Sequence, residues 1–124
     1  MVVGLGIDVA SIERIRVSLE RFGDRLWQRI LTENEQADLA QRPDRASALA
    51  GRFAAKEAAA KALGGPADVL WHTVEVRSDA RGAPKLAFLG PALVHAERLG
   101  VRRILVSITH DAGVAAAVVA LDSE

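Results

Sequence analysis

From the N-terminus, Val3, Leu5 and Ile7 alternate with Gly4, Gly6 and Asp8, the two-residue period of a strand whose successive side chains point to opposite faces. One face is apolar; the other is bare and ends in a carboxylate. Two glycines weaken so short a strand, and the usual reason to tolerate them is close approach of another backbone or a ligand. Past Ser11, a candidate N-cap, Ile12, Ile15, Leu19, Phe22 and Leu26 recur at three- and four-residue steps, which predicts an amphipathic helix with Arg14, Arg21 and Arg25 on its outer side. Thr32-Glu-Asn-Glu35 has capping-box spacing and predicts a second short helix that ends before Pro43.

Ala46 to Leu63 is an alanine-rich stretch closed by Gly64-Gly65-Pro66, the pattern of a helix with a firm stop. Wound at about 100° per residue, it gathers Gly51, Ala54, Ala55, Ala58, Ala59 and Ala62 on a face that lets a neighbour pack closely. Leu49, Phe53, Ala60 and Leu63 form a bulkier stripe, and Glu57 and Lys61 lie together on a border between the two. The period then changes. Trp71 to Arg77 and Lys85 to Leu89 read as a hairpin around Ser78 to Gly82, with Pro84 at the re-entry. Pro91 opens a short helix through Leu99, and Ile104 to Thr109 with Val114 to Leu121 flank a second hairpin turn at His110 to Gly113. This order predicts an α+β fold, mostly antiparallel sheet packed against helices, in a single domain over residues 1–124.

Composition narrows the chemistry. Half of the 124 residues are apolar, and sixteen basic side chains cancel sixteen acidic ones, so no overall field draws the protein to nucleic acid or to a membrane. The apolar start is short, lacks a basic leader and runs at once into Asp8, which predicts neither a signal peptide nor a membrane span and fits a cytoplasmic protein. There is no cysteine, so carboxylates, histidines and hydroxyls must carry any chemistry.

Asp8 ends an apolar strand and Glu57 interrupts an alanine helix. Two such carboxylates can hold magnesium, a hard cation that keeps several waters and shares phosphate oxygens. Two plainer readings compete: Asp8 as cap of the helix that follows, and Glu57 as the four-residue partner of Lys61. Arg52, Lys56 and Lys61 add cations along the same helix, suited to an anionic pyrophosphate, although Arg52 and Lys56 also read as ordinary solvated or snorkelling side chains. His110 follows a strand where a ligand is easily met or a turn hydrogen bond made. His72 and His95 have no partner at metal spacing and read as structural. No dinucleotide fingerprint, phosphate loop, nucleophile elbow or zinc helix occurs.

Four blocks in this order resemble the holo-acyl-carrier-protein synthase family of phosphopantetheinyl transferases: Gly4-Leu-Gly-Ile-Asp8, Gly51-Arg-Phe-Ala-Ala-Lys-Glu-Ala58 with Lys61, Gly82-Ala-Pro84, and Val106-Ser-Ile-Thr-His110 before Ala115-Ala-Ala117. The resemblance implies a 4'-phosphopantetheinyl transferase-like fold. It also implies a reaction in which a serine of apo-acyl carrier protein attacks the β-phosphate of coenzyme A, leaving adenosine 3',5'-bisphosphate, in the service of fatty acid or polyketide synthesis. By residue matching, Asp8 and Glu57 are implied to hold Mg2+, with Mn2+ an acceptable substitute. Glu57 activates the serine and Lys61 assists the leaving phosphate, so Asp8, Glu57 and Lys61 form the implied catalytic set. Arg52, Lys61, Gly82, Pro84, Thr109 and His110 are the implied coenzyme A contacts, and Arg14 and Arg21 the implied dock for the acidic carrier protein. The family is similar in being a homotrimer with interfacial active sites. Leu105, Asp79 and Ala83 depart from residues common in relatives, which leaves the matching nucleotide contacts open. From the residues alone, two other readings remain: a metal-dependent phosphate hydrolase using water as nucleophile, and a non-catalytic oligomeric binding module.

Overall fold

The computed structural model describes residues 1–69 and 71–124. Strand β1 (Val2–Ser11) leads into helices α1 (Ile12–Phe22), α2 (Asp24–Ile30), α3 (Glu33–Leu39) and α4 (Arg45–Ala62). A 3-10 turn (Trp71–Thr73), β2 (Val74–Ser78), β3 (Pro84–Phe88), α5 (Gly90–Arg98), β4 (Arg103–Asp111) and β5 (Val114–Asp122) complete the chain. The strands form a three-stranded sheet in the order β1-β5-β4 and a separate β2-β3 hairpin, antiparallel throughout. This is the expected α+β architecture.

Helix α4 lies against the inner face of the larger sheet. All six residues of its small face are buried, against Ala115, Ala117, Val119 and Leu121 of β5. The glycines of β1 make that approach possible. A Cβ placed at Gly4 would lie 2.2 Å from the Ala62 carbonyl oxygen, and one at Gly6 would lie 1.9 Å from that of Ala58. Both are below any real non-bonded separation, so the bare face of the strand meets the backbone of α4.

Among the described residues, no element covers the outer face of the same sheet. Leu5, Ile7 and Val9 of β1 point away from α4 and are 67%, 63% and 59% exposed, with Leu105 and Val118 also open. Register puts them in rows: Leu5, Ala120 and Leu105; Ile7, Val118 and Ser107; Val9, Ala116 and Thr109.

Two local expectations change. The helix predicted to run from Ile12 past Leu26 is two helices, because Gly23 takes φ 59° and ψ −136°, a conformation open in practice only to glycine. Its N–H closes α1 on the Leu19 carbonyl at 2.7 Å. The strand predicted from Trp71 begins instead at Val74, since Trp71–Thr73 is wound as a 3-10 turn. The Trp71 carbonyl oxygen accepts a hydrogen bond from the Lys56 ammonium rather than from a neighbouring strand.

Candidate active site

Asp8 leaves β1 on the side facing α4, beside the segment of that helix which the two glycines admit. It does not cap α1, because Ser11 does so by accepting the Arg14 N–H at 3.2 Å. Asp8 Oδ1 instead accepts from Lys61 Nζ at 3.1 Å, and the same ammonium donates to the Ile7 carbonyl at 3.0 Å. Lys61 is therefore turned toward β1. Glu57, one helical turn earlier, has no ion pair or hydrogen bond with any described residue and lines a cleft of about 200 Å³ with Lys56, Ala60, Val69, Trp71 and Val74. Burial and then the negative charge of Asp8 push the Glu57 carboxyl above its usual range, while Lys61 opposes them. Both plainer readings of the two carboxylates thus fail: Asp8 is not the cap, and Glu57 is not the ion-pair partner of Lys61.

The arrangement has the chemistry of a hard-cation site. Two carboxylates share enough space to repel one another, and no group of three or more metal-ligating side chains occurs among the described residues. Such a pair suits an ion that takes its remaining ligands from water and phosphate, and does not suit zinc.

A second cluster lies toward the N-terminal half of α4. Arg52 donates to Asp38 Oδ2 at 3.4 Å, and its Nε is buried without an acceptor. His110 Nε2 lies 3.0 Å from the Ser47 carbonyl oxygen. That oxygen can only accept, so Nε2 donates the proton of this bond. His110 thus ties β4 to α4 across 63 residues instead of closing its own turn. Arg42, Arg52 and His110 border one cleft of about 270 Å³ together with Pro43, Asp44 and Ser47.

Thr109 is not part of that cluster, since it stands in the outer-face row with Ala116 and Val9. Gly82 and Pro84 lie in the β2-β3 turn, where Gly82 takes φ 83° and Pro84 pairs with Ser78. Asp79 shapes that turn by accepting the N–H groups of Arg81 and Ala83 at 2.8 and 3.0 Å. Ser78 and Arg52 both donate to Asp38, so this carboxylate links the base of the hairpin to the second cluster.

Residues 4–119 match the 4'-phosphopantetheinyl transferase superfamily. The chain belongs to this family. It is 54% identical to the holo-[acyl-carrier-protein] synthase of Solidesulfovibrio magneticus, over 98% of this chain and 99% of that protein. It is 46% identical to that of Maridesulfovibrio salexigens over the same shares. Among solved structures, the holo-[acyl-carrier-protein] synthase of Neisseria meningitidis superposes with a TM-score of 0.88 at 34% identity, covering 98% of this chain and 99% of that one. The Helicobacter pylori enzyme, solved in complex with coenzyme A, superposes with a TM-score of 0.83 at 30% identity, covering 95% and 99%. These phosphopantetheinyl transferases move phosphopantetheine from coenzyme A to apo-acyl carrier protein, and a transferase of this kind is an enzyme with two substrates to place.

In the transferase chain a third surface stands apart from both clusters. Arg14 and Arg21 are exposed on α1, and neither has a carboxylate partner among the described residues; Arg21 lies over the Phe22 ring, 5.1 Å from its centroid. Arg14 and Ser18 border an apolar groove of about 360 Å³ floored by Ile15, Leu26, Ile30 and Phe53. Among the described residues, no helix is long and apolar enough to cross a membrane.

Sequence reasoning missed one feature of this region. Lys56, read as a solvated or snorkelling side chain, is 2% exposed and paired with Glu35, which is fully buried. Burial pushes the Lys56 ammonium below its usual pKa, and the Glu35 charge opposes that shift. The sequence carries a signal for it: Lys56 falls beside Ala55, on a helix whose small face is buried. The capping box is real, with Thr32 Oγ1 accepting the Glu35 N–H at 3.2 Å and Glu35 Oε1 accepting the Thr32 N–H at 2.9 Å.

Proposed function

We propose that Asp8, Glu57 and Lys61 carry the transfer of 4'-phosphopantetheine from coenzyme A to a serine of apo-acyl carrier protein, the reaction of a holo-[acyl-carrier-protein] synthase. The observation that carries this reading is the split between Lys61, which is held on Asp8 and the Ile7 carbonyl, and Glu57, which is left unpaired at the mouth of a cleft. An unpaired carboxylate with a raised pKa is a competent proton acceptor. Glu57 takes the serine proton as the serine oxygen bonds to the β-phosphorus of coenzyme A. The bond from that phosphorus to the bridging oxygen breaks, and adenosine 3',5'-bisphosphate leaves with the electron pair. Lys61 faces the developing negative charge and stabilises it by hydrogen bonding or protonation.

Asp8 and Glu57 are the residues that would hold magnesium, or manganese in its place, and the ion would neutralise the charge of the pyrophosphate. Arg52 offers a buried Nε without an acceptor, and His110 stands in the same cleft. These groups suit the nucleotide end of coenzyme A, with Gly82 and Pro84 of the hairpin turn and Thr109 as further contacts. Arg52 and Glu57 are five residues apart on α4, about 140° around the helix, so the two clusters face different directions. The exposed apolar rows of the larger sheet, which carry Thr109, support an assembly that joins one chain's Asp8 and Glu57 to another chain's nucleotide contacts. We read it as a homotrimer of one transferase domain per chain. The unpaired cations Arg14 and Arg21 suit an acidic carrier protein, steered to α1 by charge. We place the enzyme in the cytoplasm, serving fatty acid synthesis.

The test is intact-mass analysis of an apo-acyl carrier protein incubated with this chain, coenzyme A and magnesium. A phosphopantetheine mass gain that vanishes with a chelator, or with an alanine at the acceptor serine, upholds the reading. Cleavage of coenzyme A without mass gain favours the hydrolase alternative and sinks it.

A further inference from the structure

The buried Lys56 ammonium has three partners from separate segments: Glu35 Oε1 in α3, the Ile30 carbonyl oxygen at the end of α2 at 2.8 Å, and the Trp71 carbonyl oxygen in the 3-10 turn at 2.9 Å. Glu35 extends the network. Its Oε1 also accepts the Thr32 N–H at 2.9 Å, and its Oε2 accepts the Val76 N–H of β2 at 3.1 Å. One ion pair thus fastens the α2–α3 corner, the 3-10 turn and β2 to α4, at the residue immediately before Glu57. One fastened residue, Trp71, is a wall of the cleft that Glu57 lines, as is Val74, two residues before the fastened Val76 on β2, and Lys56 itself forms part of it. The Trp71 ring is held from the other side by Phe53, with centroids 5.1 Å apart.

A buried ion pair is a poor source of stability, because desolvation offsets most of its Coulomb gain, but it can impose one arrangement on the segments that satisfy it. Its partners here are mostly backbone groups, from the α2–α3 corner, the 3-10 turn and β2. We infer that Lys56 is a positioning residue for the transfer: with Glu35 it fixes the cleft walls around Glu57, without itself touching the reacting atoms. The inference rests on the assignment of Glu57 to the active site.

The loss expected from loosening the cleft appears in turnover, since misplacement by about 1 Å can cost ~10²-fold in rate. The variant is Lys56→Met with Glu35→Gln, which removes both charges at similar volume and leaves an amide to bond the backbone. It is assayed as the full chain with coenzyme A, magnesium and apo-acyl carrier protein, at a temperature where circular dichroism shows it fully folded. The expected result is a kcat lower by about tenfold or more, counted per folded chain, with the KM for carrier protein changed less than about twofold; a smaller folded fraction would give the same split, so the folded state shown by circular dichroism is what assigns the loss to the cleft. A folded variant that keeps parental kcat overturns the inference, as does a loss confined to the KM for carrier protein. Where the double variant does not fold, Glu35→Gln alone decides, because it keeps the shape: a folded protein with kcat lowered about threefold or more upholds the inference, and parental kcat overturns it. Glu57→Gln run alongside separates the two assignments. Parental turnover in that variant removes Glu57 from the site, and this inference with it, whereas a loss in Glu57→Gln beside an unaffected Lys56 variant overturns the role of Lys56 alone.

Discussion

Lys61 Nζ lies 3.1 Å from Asp8 Oδ1 across 53 residues of sequence, while Glu57, its neighbour one turn away on the same helix, has no ion-pair partner among the described residues. The four-residue spacing of Glu57 and Lys61 is the one that stabilises an isolated helix, by about 0.2–0.5 kcal/mol. In the fold the ammonium takes a strand carboxylate and a strand carbonyl together. Glu57 is left to the cleft, and burial with the charge of Asp8 pushes its carboxyl above the usual range against the opposing Lys61 ammonium.

Replacing either carboxylate by its amide is expected to leave the fold intact and to lower transfer by ~10²-fold or more, the usual scale for removing an electrostatic group from a polar active site. Asp8→Asn and Glu57→Gln are checked by mass-gain kinetics beside circular dichroism. Parental rates in either folded variant would count against the site.

Because the folded-state pKa of Glu57 is raised, its linkage opposes folding at neutral pH. The stability it contributes is full below its unfolded value, near 4.5, and is lost as pH rises through the higher folded value. In chelator, Glu57→Gln should therefore melt higher than the parent at pH 7, and the difference should shrink as pH falls toward the unfolded value. A lower melting temperature for the variant at pH 7 would contradict the origin given for the shift. The same titration predicts a rate that falls as acid protonates the proton acceptor.

Gly6→Ala is expected to cost about 3 kcal/mol or more in urea unfolding, at the upper end of overpacking effects. The added Cβ meets rigid helix backbone, the Ala58 carbonyl oxygen at 1.9 Å and the Ala62 nitrogen at 2.8 Å. Separation of α4 from β1 would also move Glu57 away from Asp8, so residual folded protein should be slow. Parental stability would mean that the helix does not need so close an approach.

A charge at the centre of the open sheet face, Val118→Glu, should leave the secondary structure unchanged and reduce the proposed homotrimer to single chains with loss of transfer. Val118 sits between Ile7 and Ser107 with one side exposed, so the carboxylate is solvated in a lone chain and buried only in a complex. Sedimentation velocity and the transfer assay read the two effects. An active single chain would sink the interfacial site.

Arg14→Glu should raise the KM for carrier protein by about tenfold at low salt, with the KM for coenzyme A near parental and the difference shrinking at high salt. Equal damage to both constants would remove α1 as the docking element.

Much of the chain was legible before any coordinates. Alternation in β1, the alanine face of α4, the Thr32–Glu35 capping box and the two hairpins all follow from local periods and caps that sequence records directly. The glycines of β1 point from sequence to close approach of a backbone or a ligand, and the structure decides for the backbone of α4. Gly23 was not recognised as a break, since the apolar spacing from Ile12 to Leu26 continues through it and only its positive φ separates α1 from α2.

Tertiary structure alone decided which charge meets which. Glu57 and Lys61, Asp8 and the α1 cap, and Lys56 and solvent are each a reasonable local match by spacing. Long-range partners from β1, the α2–α3 corner and the 3-10 turn displaced all three. The physical reason is that a local pairing worth a few tenths of a kcal/mol cannot hold Lys56 against a buried set of three oxygen acceptors, nor Lys61 against a strand carboxylate and carbonyl met together. The sequence by itself determined the elements, the small-residue face and the residues able to do the chemistry. The packing of α4 on β1 determined that Glu57 would be the carboxylate left unpaired.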